Sequence, residues 1–333
     1  MPENLAMPVM ANDLTSESEE LLDEILPGLS AVQKSISPKY FYDERGSQLF
    51  DQICSLPEYY LTRTELKLMD LHLNQVADLV GPRAAVIEFG AGSNIKIRKL
   101  LDCLELPAAY VPVDISGDYL LKQASQLARD YPSLHVKPVF ADFTQPFDLP
   151  DHPIMPERNL MFFPGSTIGN FSPVQALKLL EVMRLEARDN GALLIGVDLP
   201  KDPALLHAAY NDSQGVTAEF NLNVLRRLNT EFGGNFNLED FSHQAVYDEI
   251  AGRIEMRLIS SKQQSARLGD HEISFEANEY IITEHSYKYS LDALLALAGK
   301  AGWQSQQVWI DDDQLFSMHY LVASRVERQP GKR

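Results

Sequence analysis

The chain has 333 residues, 45% of them hydrophobic, and it carries 47 acidic against 29 basic side chains, for a formal net charge of −18. This length predicts either one elaborated α/β domain or two domains that share a long interface. A chain this acidic repels phosphate backbones, and its longest basic cluster is the tail 325–333, which is typical of a frayed end. Nucleic acid is therefore not expected as a partner.

Cysteine usage and hydropathy predict a cytoplasmic protein with no membrane attachment. Cys54 and Cys103 lie far apart, without Cys-x-x-Cys or Cys/His spacing, so neither a disulfide framework nor a zinc site is expected. No apolar run reaches the roughly 18 residues of a membrane span, and residues 1–13 lack a basic start followed by an apolar block. We expect residues 1–13 to be flexible.

The amino-terminal part combines an acidic helix with segments rich in aromatic residues. A cap at Thr15 predicts a helix that ends at Pro27-Gly28. Segments 38–50 and 56–65 then hold six aromatic residues, ahead of a helix predicted from 64 to 80. Such density before a cofactor domain indicates a lid, although the same rings would also pack a helical amino-terminal subdomain.

Residues 84–200 alternate strand-like and helical patterns, which is typical of a doubly wound, mostly parallel sheet. One helix is marked by Ser172-Pro173 at its start and Asn190-Gly191 at its end. We therefore predict an α/β fold with a Rossmann-like sheet. Its strands are expected at 84–89, 109–114, 136–141, 160–163 and 192–198.

An insertion long enough to form a second lobe is predicted after residue 200. Helices are expected to begin at Tyr210 and Phe220, and segments 254–260 and 271–280 alternate as antiparallel strands do. A capped helix, 290–301, then precedes a hairpin that would return to the sheet. These changes predict a cofactor-binding domain and a substrate-binding lobe, with these bounds: domain, 66–200 and 289–333; lobe, 14–65 and 201–288; hairpin strands, 308–310 and 316–324.

The first strand-to-helix turn has the pattern of a nucleotide site. Strand 84–89 runs into Gly90-Ala-Gly92, whose backbone can come close to a ligand, although such a pair also forms an ordinary tight turn. A third glycine, which a dinucleotide site would prefer at Ile95 to cradle a pyrophosphate, is missing. The turn therefore favours a nucleoside without a pyrophosphate.

Carboxylates recur at the ends of the next two strands. Asp114 is placed to accept ribose hydroxyls, and Asp142 with Phe143 is placed to receive an adenine amino group and ring face. Each aspartate alone would also serve as a helix cap or turn residue. Because they recur at successive strand ends, we predict an adenosine site at this edge of the sheet.

Further polar residues have less specific surroundings. Asn170 follows the fourth strand at the ligand crevice, where it would hold a second substrate or occupy a left-handed turn. His285 would serve as a base or as a structural strand histidine. No Gly-x-Ser-x-Gly elbow, His-Glu-x-x-His pair or P-loop is present, which favours group transfer from a nucleoside cofactor over hydrolytic or metal chemistry.

Taken together, the motifs resemble the S-adenosylmethionine-dependent L-histidine Nα-methyltransferases of ergothioneine biosynthesis, whose relatives include fungal tryptophan-type N-methyltransferases. The resemblance covers residues 38–324 and implies a class I methyltransferase fold. It depends on several blocks in the same order: Phe41-Tyr-Asp-x-x-Gly-Ser-x-Leu-Phe50, Leu56-Pro-Glu-Tyr-Tyr-x-Thr-Arg63, Glu88-x-Gly-x-Gly-Ser93, Phe162-Phe-Pro-Gly-Ser-Thr-Ile-Gly-Asn170, Glu255-Met-Arg-Leu258 and Thr283-Glu-x-Ser-x-Lys-Tyr289.

The resemblance also implies a set of site residues. Tyr59 and Asn170 would be the catalytic pair, and Phe50 would face the methylated nitrogen, where a ring tolerates a cation. S-adenosylmethionine would be bound by Gly90, Lys96, Asp114, Asp142 and Phe143. The amino-acid part of the substrate would be held by Tyr59, Asn170 and Tyr210, with the backbone of Gly165 nearby. The side-chain pocket would be formed by Tyr42, Met256, Glu284 and Ser286, of which Glu284 and Ser286 would hold the imidazole.

The implied activity is methylation of the α-amino group of L-histidine, up to the trimethylated betaine hercynine, by a monomer without a metal. Glu284 and Met256 favour histidine, since tryptophan-type relatives do not need an acid there. Alternatives are the same chemistry on a tryptophan or histidine derivative and a non-catalytic nucleoside-binding protein. Two positions depart from the family pattern: Phe171 replaces an aliphatic residue, and Tyr289 replaces the usual phenylalanine.

Overall fold

The computed structural model describes residues 2, 4–10, 18–115, 117–145, 147, 149–150 and 154–324. The predicted cap at Thr15, residues 1, 3 and 11–13 of the segment expected to be flexible, and the basic tail 325–333 lie outside these residues. Within the described ranges, no helix combines the length and the apolar character that a membrane crossing needs.

Helices and strands alternate through the first two thirds of the chain, and strands dominate after residue 240. The helices are α1 (Ser18–Ser30), α2 (Glu44–Ile53), α3 (Tyr60–Val80), α4 (Ile95–Cys103), α5 (Gly117–Asp130), α6 (Pro173–Ala187), α7 (Pro203–Tyr210), α8 (Val216–Glu231) and α9 (Leu291–Lys300). The strands are β1 (Val9–Met10), β2 (Lys34–Ser35), β3 (Ala84–Phe89), β4 (Ala109–Asp114), β5 (His135–Val136), β6 (Val139–Phe140), β7 (Arg158–Phe163), β8 (Ala192–Asp198), β9 (Phe241–Asp248), β10 (Arg253–Ser260), β11 (Gln264–Leu268), β12 (His271–Phe275), β13 (Tyr280–Tyr287), β14 (Trp303–Ile310) and β15 (Phe316–Ala323).

The main sheet has the order β1-β6-β4-β3-β7-β8-β15-β14, with β5 also paired to β4. Strands β1 to β8 in this sheet run parallel, and the hairpin β14–β15 is antiparallel to them. Chain order reverses between β3 and β7, and ligands of doubly wound sheets bind beyond the carboxyl ends of the strands at such a point. The predicted α/β fold and the return of the hairpin to the sheet are confirmed.

The predicted parallel strands agree closely with the structure, with one exception. β3, β4 and β8 have the predicted bounds, and β7 begins two residues earlier than expected. The strand expected at 136–141 is divided into β5 and β6 at Lys137-Pro138. Proline has no N–H to donate to a ladder, so a strand pattern that contains it is interrupted there.

A second sheet has the order β2-β13-β10-β9. Its strands β9, β10 and β13 and the separate hairpin β11–β12 lie in the part of the chain predicted as an insertion, whereas β2 belongs to the amino-terminal segment. The segment expected as one strand at 271–280 belongs to two strands: β12 pairs with β11, and β13 pairs with β10. Separate partners at the two ends of this segment explain the break. The two predicted lobes and their bounds stay a prediction.

Several predicted helix ends were wrong. Tyr210 ends α7 and Phe220 lies inside α8, whereas we expected both residues to begin helices. The start of α8 is set by Asp212, whose carboxylate accepts from the amides of Val216 at 2.9 Å and Thr217 at 2.7 Å. α3 begins at Tyr60, four residues before the expected start, and α1 continues through Pro27 to Ser30. Helix ends thus depend on side-chain caps that local patterns describe poorly.

The aromatic amino-terminal segment packs into the core of the second sheet. Phe41 is 1% exposed and stacks on Phe220 of α8 with ring centroids 4.4 Å apart. Tyr40 and Tyr60 are also buried in this core. For these rings the subdomain interpretation is correct, whereas other rings of the same segment face the candidate site.

Candidate active site

The glycine turn lies across the carboxyl ends of β3 and β4. Gly90 has a φ of 75°, and its amide and that of Ala91 donate to the carbonyl of Val113 at 2.9 and 3.3 Å. A Cβ built on Gly90 would lie 3.7 Å from the Phe143 ring, and one built on Gly92 would meet nothing within 4 Å. The turn therefore presents bare backbone beside an aromatic ring.

The acidic strand ends lie at this same edge. Asp114 ends β4 and is half-buried. Asp142 accepts from the amide and the hydroxyl of Thr144 at 3.0 and 2.5 Å, and its second oxygen lies 3.9 Å from Lys39 Nζ. Asp142 therefore makes the turn contacts expected of an ordinary loop aspartate, and it also faces the amino-terminal segment.

Phe143 belongs to a cluster of aromatic rings that extends into the main core. Its ring meets Phe89, Phe163 and Phe171 edge-on, with centroids 5.9, 6.3 and 6.3 Å apart. Phe171 thus supports Phe143 from behind, and Tyr289 is buried in the same core. Both departures from the family pattern contribute to the packing of this core.

The turn Thr167–Asn170 connects the glycine turn to the second sheet. A Cβ on Gly90 would lie 4.0 Å from Thr167 Cγ2, and a Cβ on Gly169 would lie 2.8 Å from the carbonyl oxygen of Tyr287 on β13. Because Gly169 has no side chain, the turn packs directly against β13. The half-buried Asn170 ends this turn, between the two parts of the site.

Four aromatic residues predicted for the substrate lie together, and we call Tyr42, Phe50, Tyr59 and Tyr210 the aromatic box. The centroids of Tyr42 and Phe50 are 5.8 Å apart, those of Phe50 and Tyr59 are 6.3 Å apart, and those of Tyr59 and Tyr210 are 6.2 Å apart. Phe220, which the sequence analysis did not select, supports the box from α8 at 6.0 Å from Phe50.

Strands β10 and β13 bring the predicted side-chain pocket together. Met256 lies directly opposite Glu284, so their side chains share one face of the sheet, and Ser286 follows two residues later on that face. The Ser286 hydroxyl lies 2.8 Å from that of Tyr210. Met256, Glu284 and Ser286 therefore adjoin the aromatic box. The local sequence around these residues does not indicate which strands pair or in which register.

His285 points to the opposite face of β13. Its Nε2 lies 3.6 Å from Glu255, and its ring meets Tyr287 with centroids 6.0 Å apart. Burial is the main cause that lowers its pKa, and Arg253 adds to the effect. The structural interpretation of His285 is therefore the one that fits, and a role as a base in the pocket does not.

Comparison with known proteins identifies the family. A model of the family described as "Histidine-specific methyltransferase, SAM-dependent" matches residues 21–323. The chain belongs to this family. The histidine N-alpha-methyltransferase of Mycolicibacterium smegmatis is 36% identical over 320 residues, which cover 94% of this chain and 98% of that protein.

Two further proteins are similar in sequence to this chain over most of its length. The histidine N-alpha-methyltransferase of Mycobacterium tuberculosis is 37% identical over 311 residues, covering 91% of this chain and 95% of that protein. Ergothioneine biosynthesis protein 1 of Neurospora crassa is 31% identical over 297 residues, which cover 86% of this chain but 33% of that longer protein. The resemblance stated from the motifs is confirmed.

Burial tunes the charged groups of this methyltransferase. Burial raises the pKa of Glu284 to about 7, and the charge of Lys288 partly opposes the rise. Burial also raises the pKa values of Tyr42 and Tyr59, with the charge of Glu284 as a further cause. Both phenols therefore stay neutral hydrogen-bonding groups at physiological pH.

A second carboxyl group with a raised pKa lies beneath the glycine turn. Glu88 is 3% exposed and accepts a hydrogen bond from the Tyr110 hydroxyl at 2.5 Å. Burial raises its pKa to about 7, against the lowering effect of that hydrogen bond and of Lys96. The methyltransferase thus holds one such acid on β3 of the main sheet and one on β13 of the second sheet.

Glu65, for which no role was predicted from the sequence, joins three elements of the predicted cofactor side. Its carboxylate lies 2.6 Å from Lys96 Nζ at the start of α4, and its two oxygens accept from the Gly165 amide at 3.0 and 2.9 Å. Glu65 itself is 2% exposed on α3. The sequence signal for Glu65 is an acidic residue on the apolar face of a predicted helix. Such a residue indicates a buried ion pair, because acids are rarely buried unless they are paired.

A second group of missed residues surrounds Asp198. Its carboxylate, at the end of β8, accepts from the Tyr60 hydroxyl at 2.8 Å and lies 2.8 Å from Lys288 Nζ and 2.5 Å from Lys201 Nζ. Lys288 lies in the sequence block 283–289, which contributes to the family resemblance, but no function was predicted for it. Across the described ranges, no three His, Cys, Asp or Glu side chains are grouped to hold a metal ion.

Proposed function

We propose that this protein transfers methyl groups from S-adenosylmethionine to the α-amino group of L-histidine, up to the trimethylated betaine. The observation that carries the proposal is the placement of Glu284 and Ser286 on one face of β13 beside the aromatic box. A carboxylate and a hydroxyl two residues apart suit the two ring nitrogens of an imidazole. The names of the two mycobacterial relatives support the same substrate and the same nitrogen.

The residues at the carboxyl edge of the main sheet fit S-adenosylmethionine. The open flank of Gly92 leaves room for a ligand beside bare backbone, and Asp114 is a half-buried acceptor for ribose hydroxyls. Phe143 and Asp142 would take the adenine ring and its amino group, and Lys96 is held near the turn by Glu65. The donor supplies a methyl group that a sulfonium already activates.

Because the methyl group is already activated, the task of the protein is to position the amine. Tyr59, Asn170 and Tyr210 would hold the amino-acid backbone, with the amide region of Gly165 nearby. Good orientation of two reactants lowers a barrier by roughly 7–11 kcal/mol. Asn170 suits this role because its turn is packed tightly against β13 and cannot shift without moving Tyr287.

Successive methylation requires the amine to lose protons and the product to stay in place. Tyr59 is 8% exposed, and its hydroxyl would pass the proton of the amine toward water. Phe50 would face an increasingly apolar cation, which an aromatic ring attracts through its face. We propose that retention in the aromatic box allows up to three transfers, and that the enzyme acts as a cytoplasmic monomer with neither nucleic acid nor membrane as a partner.

Mass spectrometry of L-histidine incubated with the protein and S-adenosylmethionine tests the proposal directly. We expect histidine with one, two and finally three added methyl groups. A parallel panel with tryptophan and with a histidine thioether covers the alternative substrates, which the family assignment does not favour. Binding of histidine and S-adenosylhomocysteine without any transfer would instead indicate a non-catalytic nucleoside-binding protein.

A further inference from the structure

A buried cluster of charges lies behind the aromatic box. Lys288, directly after β13, and Asp198, at the end of β8, both have fully buried side chains, with Lys288 Nζ 2.8 Å from Asp198 Oδ2. The same ammonium group lies 3.0 Å from the Tyr210 hydroxyl and 2.8 Å from the Ser286 hydroxyl. Lys288 therefore contacts two predicted substrate-binding groups without facing solvent.

The number of protons on Lys288 determines how these hydroxyls are oriented. An ammonium group has three donors and no acceptor, and here its partners are Asp198, Tyr210 and Ser286. Both hydroxyl oxygens thus accept from Lys288, and one of the two hydroxyls must donate to the other across 2.8 Å. One O–H remains to point into the pocket, where it is polarised by the adjacent charge.

One arrangement serves both ends of a histidine. If Ser286 donates to Tyr210, the Tyr210 O–H is left for a carboxylate, and the second lone pair of Ser286 is left to accept from one N–H of an imidazolium ring, whose other N–H would donate to the Glu284 carboxylate. With the opposite direction, Tyr210 would offer the carboxylate no proton. The contacts of Lys288 therefore match a substrate that carries an anion at one end and an N–H at the other.

The cluster contains more positive than negative groups within hydrogen-bonding distance of one another. Asp198 is shared by Lys288 and Lys201, and Lys201 additionally bonds the Tyr60 hydroxyl at 2.6 Å and the carbonyl of Leu199 at 2.5 Å. Two ammonium groups against one carboxylate are costly to bury unless a further anion balances them. Asp311 also attracts Lys201, less strongly than Asp198 does.

We propose that Lys288 is a positioning residue that makes the pocket select amino acids with a free α-carboxylate, by placing a buried positive charge behind Tyr210 and Ser286. This inference rests on the proposed function, in which Tyr59, Asn170 and Tyr210 hold that carboxylate. Those three groups are uncharged, and Glu284 in the same pocket repels an anion. Lys288 supplies the attraction that they lack.

The test compares histidine with histidinol, which keeps the amine and imidazole but has no carboxylate. We expect wild-type kcat/KM to favour histidine, and we expect Lys288→Met to reduce this preference by roughly 10- to 100-fold, as for loss of a charged hydrogen bond. The loss should appear mainly in KM for histidine, and the dissociation constant of S-adenosylhomocysteine should stay within about 2-fold. An equal loss for both substrates would overturn the proposal.

Lys201→Met is the matched control, because it removes the other ammonium group from Asp198 without touching Tyr210 or Ser286. We expect Lys201→Met to change the unfolding temperature and to retain the preference for histidine over histidinol. If this variant lost the preference as Lys288→Met does, the role of Lys288 would be contradicted. Lys288→Gln, which keeps donors but not the charge, serves if the methionine variant does not fold, and it should also lose the preference.

Calorimetry separates failure of this inference from failure of the proposed function. If the wild-type protein methylates neither compound, the proposed function fails, and binding of histidine and histidinol to the protein with S-adenosylhomocysteine still measures the effect of the carboxylate. We expect histidinol to bind the wild-type protein at least about 10-fold more weakly. Equal binding of the two compounds would overturn the role of Lys288.

Discussion

In the proposed function, Glu284 is the residue that would distinguish an imidazole from other side chains. It lies opposite Met256 on the neighbouring strand, near the buried ammonium of Lys288. Burial raises its pKa to about 7, so its charge changes within the physiological range. The carboxylate form accepts from an imidazole N–H, whereas the protonated form loses part of that capacity.

The affinity for histidine should therefore depend on pH through Glu284. Because the raised pKa is about 7, the carboxylate is protonated below that pH and ionised above it, and KM for histidine should fall as pH rises through about 7. Glu284→Gln should lack this change, and Glu284→Ala should lose roughly 1.5–3 kcal/mol in kcat/KM. Steady-state kinetics against pH measure both effects.

The glutamine variant is also the control for the substrate, whose own imidazole titrates nearby. Any change of KM with pH that remains in Glu284→Gln is caused by titration of histidine itself or of other groups of the protein. The difference between the two profiles isolates Glu284. Superimposable profiles for the wild-type protein and the variant would contradict the assignment of Glu284 to the imidazole.

At the scale of elements, Glu65 of α3 joins α4 to the segment after β7, and both lie in the predicted cofactor side. The carboxylate of Glu65 reaches Lys96 on α4 and the Gly165 amide after β7. It passes so close to β8 that a Cβ on Gly196 would lie 2.0 Å from Glu65 Oε1. Gly196 is therefore the position at which the main sheet admits the carboxylate.

Gly196→Ala should displace Glu65 and loosen the cofactor side. Overpacking of this kind costs roughly 1–3 kcal/mol of folding free energy, and binding of S-adenosylhomocysteine should weaken because Lys96 and Gly165 lose their shared partner. Chemical denaturation and calorimetry measure the two effects. A variant with wild-type affinity for S-adenosylhomocysteine would show that Glu65 is not needed there.

Gly299→Ala provides the matched control on α9. A Cβ at Gly299 would meet nothing within 4 Å, and the residue lies in a helix. Alanine there should stabilise the protein by roughly 0.4–1 kcal/mol, because it restricts the unfolded chain, and it should leave the affinity for S-adenosylhomocysteine unchanged. This pair separates a general effect of replacing glycine from the specific loss of Glu65.

At the scale of the whole molecule, the two sheets are joined by buried polar contacts as well as by the chain itself. Lys288, directly after β13 of the second sheet, bonds Asp198 of the main sheet, and the Thr167–Asn170 turn packs against β13. The side chains of Lys288 and Asp198 have no access to solvent, so separating the sheets would expose their unpaired charges. We expect the sheets to unfold together.

Tryptophan fluorescence tests this expectation, since Trp303 and Trp309 both lie on β14 of the main sheet. Far-UV circular dichroism reports both sheets. We expect one thermal transition with the same midpoint by both methods, and S-adenosylhomocysteine should raise both midpoints equally. A dichroism transition that precedes the fluorescence transition would show that the second sheet unfolds separately.

Much of the fold was predictable because it depends on local patterns. The bounds of β3, β4 and β8 followed from short apolar runs between turn residues, and the glycine turn followed from its place after a strand. The order of the sequence blocks indicated the family and named the candidate site residues. Local signals failed at Tyr210 and Phe220, where a cap made by Asp212 determined the helix start.

The sequence by itself determined the α/β class, the family and the types of residue in the candidate site. Only the tertiary structure decided their partners: Lys288 with Asp198, 90 residues apart in the chain, and Glu65 with Gly165, 100 residues apart. It also placed Met256 opposite Glu284 and turned His285 away. The physical reason is that pairing of buried charges and strand register depend on which distant segments pack together, and local periodicity carries no information on that choice.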